Sequence, residues 1–321
     1  MKTRLHACRL LSLGLLVPVL LSVVVGSGCA GLGTPVPPCA ATVTTPDSPR
    51  IALVVFENQR YEDTLNNPAN IPYLKSLIAQ GGLATNYLAN THPSIGNYFE
   101  LTVGKTISND LFFTGQVTDE NLVQELCEQG ISWKAYFENI PQAGYLGDRA
   151  VPYAKTHNPF AYMSQVIHSD EQRAKMVPFT ELASDIQNHT LPQFIYLMGN
   201  QFDNMHDCAG NVDQATCPNS VRLAQGDAWA QQNIDPLLKD PDFSKNGILI
   251  VTWDESFDKD FRGGGGHIIT FMVGAGIKPG FQSVTAYAHQ NVLRFISDRL
   301  GIAPPGDAAT ANDMSEFLVG H

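Results

Sequence analysis

Residues 54–77 read VVFENQRYEDTLNNPANIPYLKSL, and the change of character after Phe56 decides how the chain folds. Residues 51–56, IALVVF, are an unbroken apolar run, the composition of a strand buried on both faces. Glu57, Asn58, Gln59 and Arg60 follow at once. A loop that only reversed the chain would favour Gly, Pro or Asp-Gly. An acid and an amide at the carboxyl end of a core strand mark instead the place where open α/β sheets hold ligands. Further on, Ile71, Leu74, Leu77 and Ile78 have helical spacing, and Gly81-Gly82 stops that helix.

The same alternation runs outward from this stretch. Strands are predicted at 83–88, 132–137, 194–198, 247–253 and 268–273, the clearest being GILIVTW at 247–253. Helices are predicted at 93–103, 121–129, 180–188, 226–238 and 289–300. Strands alternating with helices predict an α/β fold, a mostly parallel sheet with helices on both faces.

The chain has 321 residues, 44% hydrophobic and 16% charged, which excludes a disordered or fibrous protein. Residues 1–28 read as an export signal: Lys2, Arg4 and Arg9 precede an apolar run and the small residues Gly26, Ser27 and Gly28. Cys29 then resembles the lipidated cysteine of a bacterial lipoprotein, so the chain is expected to be exported, either tethered to the cell envelope through Cys29 or cleaved and secreted. Residues 29–49 read as a Pro/Thr-rich tether, and 50–321 as the folded domain. Setting the signal aside removes three basic residues and takes the formal charge from −11 to −14, which disfavours nucleic acid and anionic membrane surfaces as partners. Cys208 and Cys217 flank a short polar loop and could pair, leaving Cys39 and Cys127 as a second pair or as free buried thiols.

Two core strands end in adjacent oxygen donors, Glu57-Asn58 after Phe56 and Asp254-Glu255 after Trp253. One such pair would ordinarily cap the next helix. Two pairs form a hard oxygen set suited to one divalent metal ion, Mg²⁺, Mn²⁺ or Ca²⁺. Ser94, in the first turn of a helix, is the candidate nucleophile, because free backbone N–H groups there favour an anion. Asn97, His92 and Asp207 are candidate substrate-binding groups, and His157, His206 and His267 candidate catalytic ones, each in a polar loop. Four glycines precede His267 and are expected to give close backbone approach and mobility. Phe112 and Phe113 are expected in the core.

Taken in order, ENQRYED, YLANTHPSIGNYFELTVG, KTHNPF, NMHDC, GDAWAQQNI, TWDES and GGGGHI resemble the bacterial phosphoesterase family of phospholipases C and acid phosphatases, within the alkaline phosphatase-like superfamily. The resemblance runs from about residue 50 to the C-terminus. It implies a three-layer sandwich, with Glu57, Asn58, Asp254 and Glu255 as ligands of one catalytic metal and Ser94 as nucleophile. It places His157, His206 and His267 around the phosphate, with His92, Asn97 and Asp207 as neighbours. Asp227 and Trp229 match the family pattern but read as helix-start and packing residues. Ile95-Gly96 replaces the usual Leu-Pro, and Gln59-Arg60 the usual small hydroxyl residue. The implied activity is acid phosphatase hydrolysis of a phosphate ester through a phosphoserine. Two alternatives are a phospholipase C-type phosphodiesterase and a surface metal-binding module without catalysis. Ser94-Ile95-Gly96-Asn97 does not fit the Cys/Ser-x-Pro-x-Arg pattern of sulfatases.

Overall fold

The computed structural model describes residues 39–42, 44–210, 216–257 and 259–321; the signal segment, Cys29 and most of the tether lie outside them. Ten strands are present among the described residues: β1 Arg50–Phe56, β2 Gly82–Ala84, β3 Leu88–Ala89, β4 Trp133–Phe137, β5 Met176–Pro178, β6 Phe194–Met198, β7 Gly247–Trp253, β8 Gly266–His267, β9 Thr270–Gly274 and β10 Phe281–Ser283. Eight form one sheet in the order β10-β2-β9-β7-β1-β6-β4-β5, and β3 pairs with β8 alone. The five strands from β7 to β5 run parallel. β9 is antiparallel to both β7 and β2.

Every residue of β1, β6 and β7 is buried, which is why these strands read as continuous apolar runs rather than alternating ones. Helices cover the sheet as expected for a mostly parallel α/β fold. Helix Pro72–Gln80 opens on a proline, and its first free N–H groups, those of Tyr73 and Leu74, donate to the Asp227 carboxylate at 3.0 and 2.8 Å. Asp227 therefore caps the start of this helix from the interior of another, Asn219–Lys239, rather than opening its own helix as expected. Trp229 packs against Phe56 and Phe179.

Three boundaries differ from expectation. The strand expected at 83–88 is split into β2 and β3, because the chain leaves one sheet for the other between them. The helix expected at 226–238 spans Asn219–Lys239, its first turns carrying polar residues that hid the periodicity. The end of the predicted tether is pinned to the domain, by the Cys39–Cys127 disulfide and by an Ala40 N–H donated to the Cys127 carbonyl at 2.9 Å. Cys208 and Cys217 form the second disulfide.

Candidate active site

β1 and β7 are neighbours, and their register pairs Phe56 with Trp253. The two oxygen pairs therefore leave the sheet side by side. The Asp254 N–H donates to the Phe56 carbonyl at 2.9 Å, and the Asn58 N–H to Asp254 Oδ1 at 3.1 Å. Asn58 has φ 49°, a left-handed conformation that asparagine tolerates better than most residues. It turns the chain immediately past Glu57.

Helix Ser94–Val103, all ten residues buried, brings its first turn to this point. Ser94 Oγ lies 3.2 Å from Glu57 Oε2 and 3.3 Å from Glu255 Oε1. One helical turn later, Tyr98 donates a short hydrogen bond to Glu57 Oε1. Three of the four glycines after Arg262, Gly263, Gly264 and Gly265, pack against the segment that leads into this helix. A Cβ on Gly264 would lie 2.0 Å from the Asn90 carbonyl oxygen, and one on Gly265 2.4 Å from that of Thr91. The run thus serves close approach of two backbones.

Glu57, Asp254 and Glu255 are buried, and all three carboxyls are pushed above their ordinary range. Burial is the largest cause in each, and for Glu57 and Glu255 the neighbouring Asp254 charge adds to it. Three carboxylates cannot all ionise in so small and dry a volume unless a cation neutralises them. Asn58 Oδ1 and Asp254 Oδ2 are moreover buried without a hydrogen-bond partner. Orphaned buried acceptors are costly, and here they belong to two of the four expected metal donors. Among the described residues no three His, Cys, Asp or Glu side chains stand in ready metal-binding geometry. Glu57 and Glu255 are instead held by protons from Ser94, Tyr98 and His92. The donors that could hold a hard divalent ion are Glu57, Asn58, Asp254 and Glu255, and the two orphaned oxygens are the ones such an ion would satisfy.

Asn58, Ser94 and Glu255 open into a cavity of about 650 Å³, which His157 and His206 also line. His157 is buried, and burial holds its imidazole well below the usual range, with the His206 and Arg149 charges adding. Asn204 donates to its Nδ1 at 3.3 Å, which leaves the proton on Nε2, 3.3 Å from Glu57 Oε1. His157 thus steadies Glu57. His206 has its Nδ1 2.8 Å from Asp207 Oδ1, and its Nε2 has no partner among the described residues. Asp207 orients this ring.

The other expected site residues are not brought to the cavity with a free polar atom. His267 uses both ring nitrogens, Nδ1 on Glu62 at 3.0 Å and Nε2 on the Thr85 carbonyl at 3.0 Å, and stacks on Tyr61. Asn97 accepts from the Asn90 and Thr91 N–H groups, both at 3.1 Å, and donates to the Thr91 carbonyl at 2.8 Å. Its amide braces the loop before Ser94. His92 bridges Glu255 Oε2 and the Asp260 carbonyl, each at 2.9 Å, and the hydrogen bond to Glu255 raises it to about 9. Phe112 is 88% exposed at the cavity mouth, contrary to expectation, whereas Phe113 packs on Phe99 and Tyr162. The sequence reading missed His289, a buried ring 2.6 Å from the Asp254 carbonyl, and Tyr98, whose spacing from Ser94 was the available signal.

The Phosphoesterase family model matches residues 64–303. The chain belongs to the Phosphoesterase family. Its similar proteins include the phosphate-repressible acid phosphatase of Penicillium chrysogenum, 28% identical over 267 residues that make up 80% of this chain and 61% of that protein. A probable acid phosphatase of Kluyveromyces lactis is 28% identical over 64% of this chain and 47% of its own. This phosphoesterase-family chain thus spans roughly half to three fifths of the length of those two relatives. The phosphatidylinositol-3-phosphatase of Mycobacterium tuberculosis is 28% identical over 280 residues, 86% of this chain and 85% of that protein. A solved alkaline phosphatase superfamily protein from Vibrio parahaemolyticus shares the fold, with TM-score 0.57 and 15% identity over 87% of this chain and 73% of its own.

Proposed function

We propose that this chain is an exported, metal-dependent phosphomonoesterase of the acid phosphatase type that works through a phosphoserine at Ser94. The observation that carries the proposal is the Ser94 hydroxyl between Glu57 and Glu255, beside the two unpartnered oxygens of Asn58 and Asp254. The similarity to acid phosphatases supports the substrate class.

Glu57, Asn58, Asp254 and Glu255 would hold the divalent ion, which when bound supplies charge for the phosphate and acidifies the Ser94 hydroxyl. The chain's own residues account for the proton traffic. Ser94 Oγ attacks phosphorus, and its proton passes to one of the two carboxylates that already accept it. The ester oxygen leaves with the proton from His206 Nε2 as the P–O bond breaks. A water then attacks the phosphoserine, giving its proton to His206, and Ser94 Oγ leaves as the second P–O bond breaks, taking back the proton that the carboxylate had received. Asp207 keeps the ring in the tautomer that presents Nε2.

A second reading is favoured by two observations, the similarity to a phosphatidylinositol-3-phosphatase over nearly its whole length and the exposed Phe112 at the cavity mouth. In it the same chemistry acts on a lipid phosphomonoester. Export is supported by the two disulfides, which suit an oxidising compartment.

The test measures phosphate release from 4-nitrophenyl phosphate, from a phosphoinositide in vesicles and from a phosphorylcholine diester, each with and without EDTA. Loss of monoester turnover in Ser94→Ala, with phosphoserine trapped from the wild type at acid quench, is expected. Full turnover by Ser94→Ala would reject the nucleophile, and turnover untouched by EDTA would reject the metal. Preference for the diester would point to the phospholipase alternative.

A further inference from the structure

The wall of the cavity contributed by residues 148–157 is chemically unlike the end that holds Ser94. It presents two cations, Arg149 and Lys155, in a chain with a formal charge of −11. Both are held by neutral groups. Arg149 donates to the Gln201 side-chain carbonyl, and the Lys155 ammonium rests 4.7 Å from the centre of the Tyr162 ring. Neither forms an ion pair with a carboxylate among the described residues, unlike Arg60, Lys105, Lys134, Arg173 and Arg262. The one acid on this wall, Asp148, acts on Lys155 only at longer range. Partial burial of Lys155 costs hydration that nothing on the protein fully returns. Two cations left without counter-ions while facing a cavity are suited to an anion carried by the ligand.

Resting on the phosphomonoesterase reading, we infer that Lys155 and Arg149 form a subsite for a second anionic group, borne by the alcohol of the substrate. The reacting phosphate belongs beside Ser94, on a different wall. The preferred substrate class is therefore a phosphomonoester whose alcohol carries a carboxylate or a further phosphate. Such an anion can be on a free metabolite or in a lipid headgroup, where a phosphodiester supplies it.

Glycerol 3-phosphate and 3-phosphoglycerate test this directly, because they differ in a hydroxymethyl group against a carboxylate. The wild type is expected to favour 3-phosphoglycerate in kcat/KM by about tenfold, the worth of one charge-assisted contact partly screened by water. Lys155→Met and Arg149→Met should each shrink that ratio toward unity, and Lys155→Arg should retain it. Absence of the preference, or an equal fall for both esters in the methionine variants, overturns the subsite and assigns the cations to the reacting phosphate instead. The same variants assayed on a phosphoinositide in phosphatidylcholine vesicles and on its water-soluble deacylated form separate the two sources. Phe112→Ala should lower only the vesicle rate if the source is a lipid, and in either case the methionine variants must lose the selectivity. Calorimetric binding of the two glycerol-based esters to Ser94→Ala protein keeps the test independent of turnover. If the wild type hydrolyses neither ester, the reading of the reaction fails while the binding ratio still judges the subsite.

Discussion

Replacing His206 by alanine should separate substrates by their leaving groups. Among the described residues His206 is the one cavity-lining histidine with an unpartnered ring nitrogen, since Asp207 takes Nδ1 at 2.8 Å while His157 spends both nitrogens on Glu57 and Asn204. A positioned general acid contributes roughly a hundredfold to ten-thousandfold. That contribution matters only where the departing oxygen needs a proton. For glycerol 3-phosphate, an alkyl ester, His206→Ala should lower kcat/KM by about a thousandfold, equivalent to about 4 kcal/mol of barrier. For 4-nitrophenyl phosphate, whose phenolate leaves without a proton, the loss should stay under about tenfold. The parameter must be kcat/KM, because it reports steps up to phosphorylation of Ser94 and so excludes the later role of His206 as base toward water. Asp207→Asn should show a smaller loss with the same leaving-group bias, since it disturbs only the tautomer. Equal losses on the two esters would refute the assignment, because a residue that merely binds phosphate cannot sense the alcohol.

Asp254→Asn should weaken Mg²⁺ or Mn²⁺ binding, read by titration calorimetry, by about a hundredfold, yet leave the melting temperature in EDTA unchanged or higher, because it removes a buried charge while keeping the acceptor for the Asn58 N–H. A fall in that melting temperature would mean Asp254 is structural. Glu138 is raised to about 7, chiefly by burial and then by the Asp203 charge, from an ordinary 4.5. Between those values the folded state holds a proton that the unfolded chain has lost, so stability should fall as pH rises through that window. Glu138→Gln should flatten the decline and add about 1–2 kcal/mol at pH 7.5 in urea titrations, a figure discounted for partial solvent screening, and an unchanged pH profile would contradict it. Gly96→Ala should cost about 1–3 kcal/mol, since its Cβ would meet Asn109 Oδ1 at 2.2 Å and Thr91 Cγ2 at 2.5 Å, and a neutral substitution in thermal melts would show that these side chains yield freely.

The oxygen donors were legible because each stands directly after a continuous apolar strand, and a single register, Phe56 against Trp253, suffices to bring both pairs together. Ser94 was legible for a similar local reason, being at the start of a helix that a proline precedes. What escaped the sequence was the direction of side chains whose partners lie far along the chain. His267 sits in the loop and residue type expected of a catalytic ring, but Glu62, 205 positions away, takes one nitrogen and the Thr85 carbonyl the other. His289 was passed over for the opposite reason. It opens an ordinary amphipathic helix, and only the tertiary fold places it under the Asp254 carbonyl. The edge strands β5 and β10, three residues each, are too short for any period to register. Asn97 belongs to a third class, for its partners at Asn90, Thr91 and Glu255 mix local and distant positions. Its oxygen is spent on two backbone N–H groups and its amide protons on the Thr91 carbonyl and Glu255 Oε2, so no donor is left for a phosphate oxygen. A polar residue one turn from a nucleophile is therefore better judged by the free backbone groups of its own loop than by its nearness to the reaction. By that criterion Tyr98, whose hydroxyl among the described residues reaches only Glu57 and the Met198 sulfur, is the residue one turn beyond Ser94 that is bound to the chemistry.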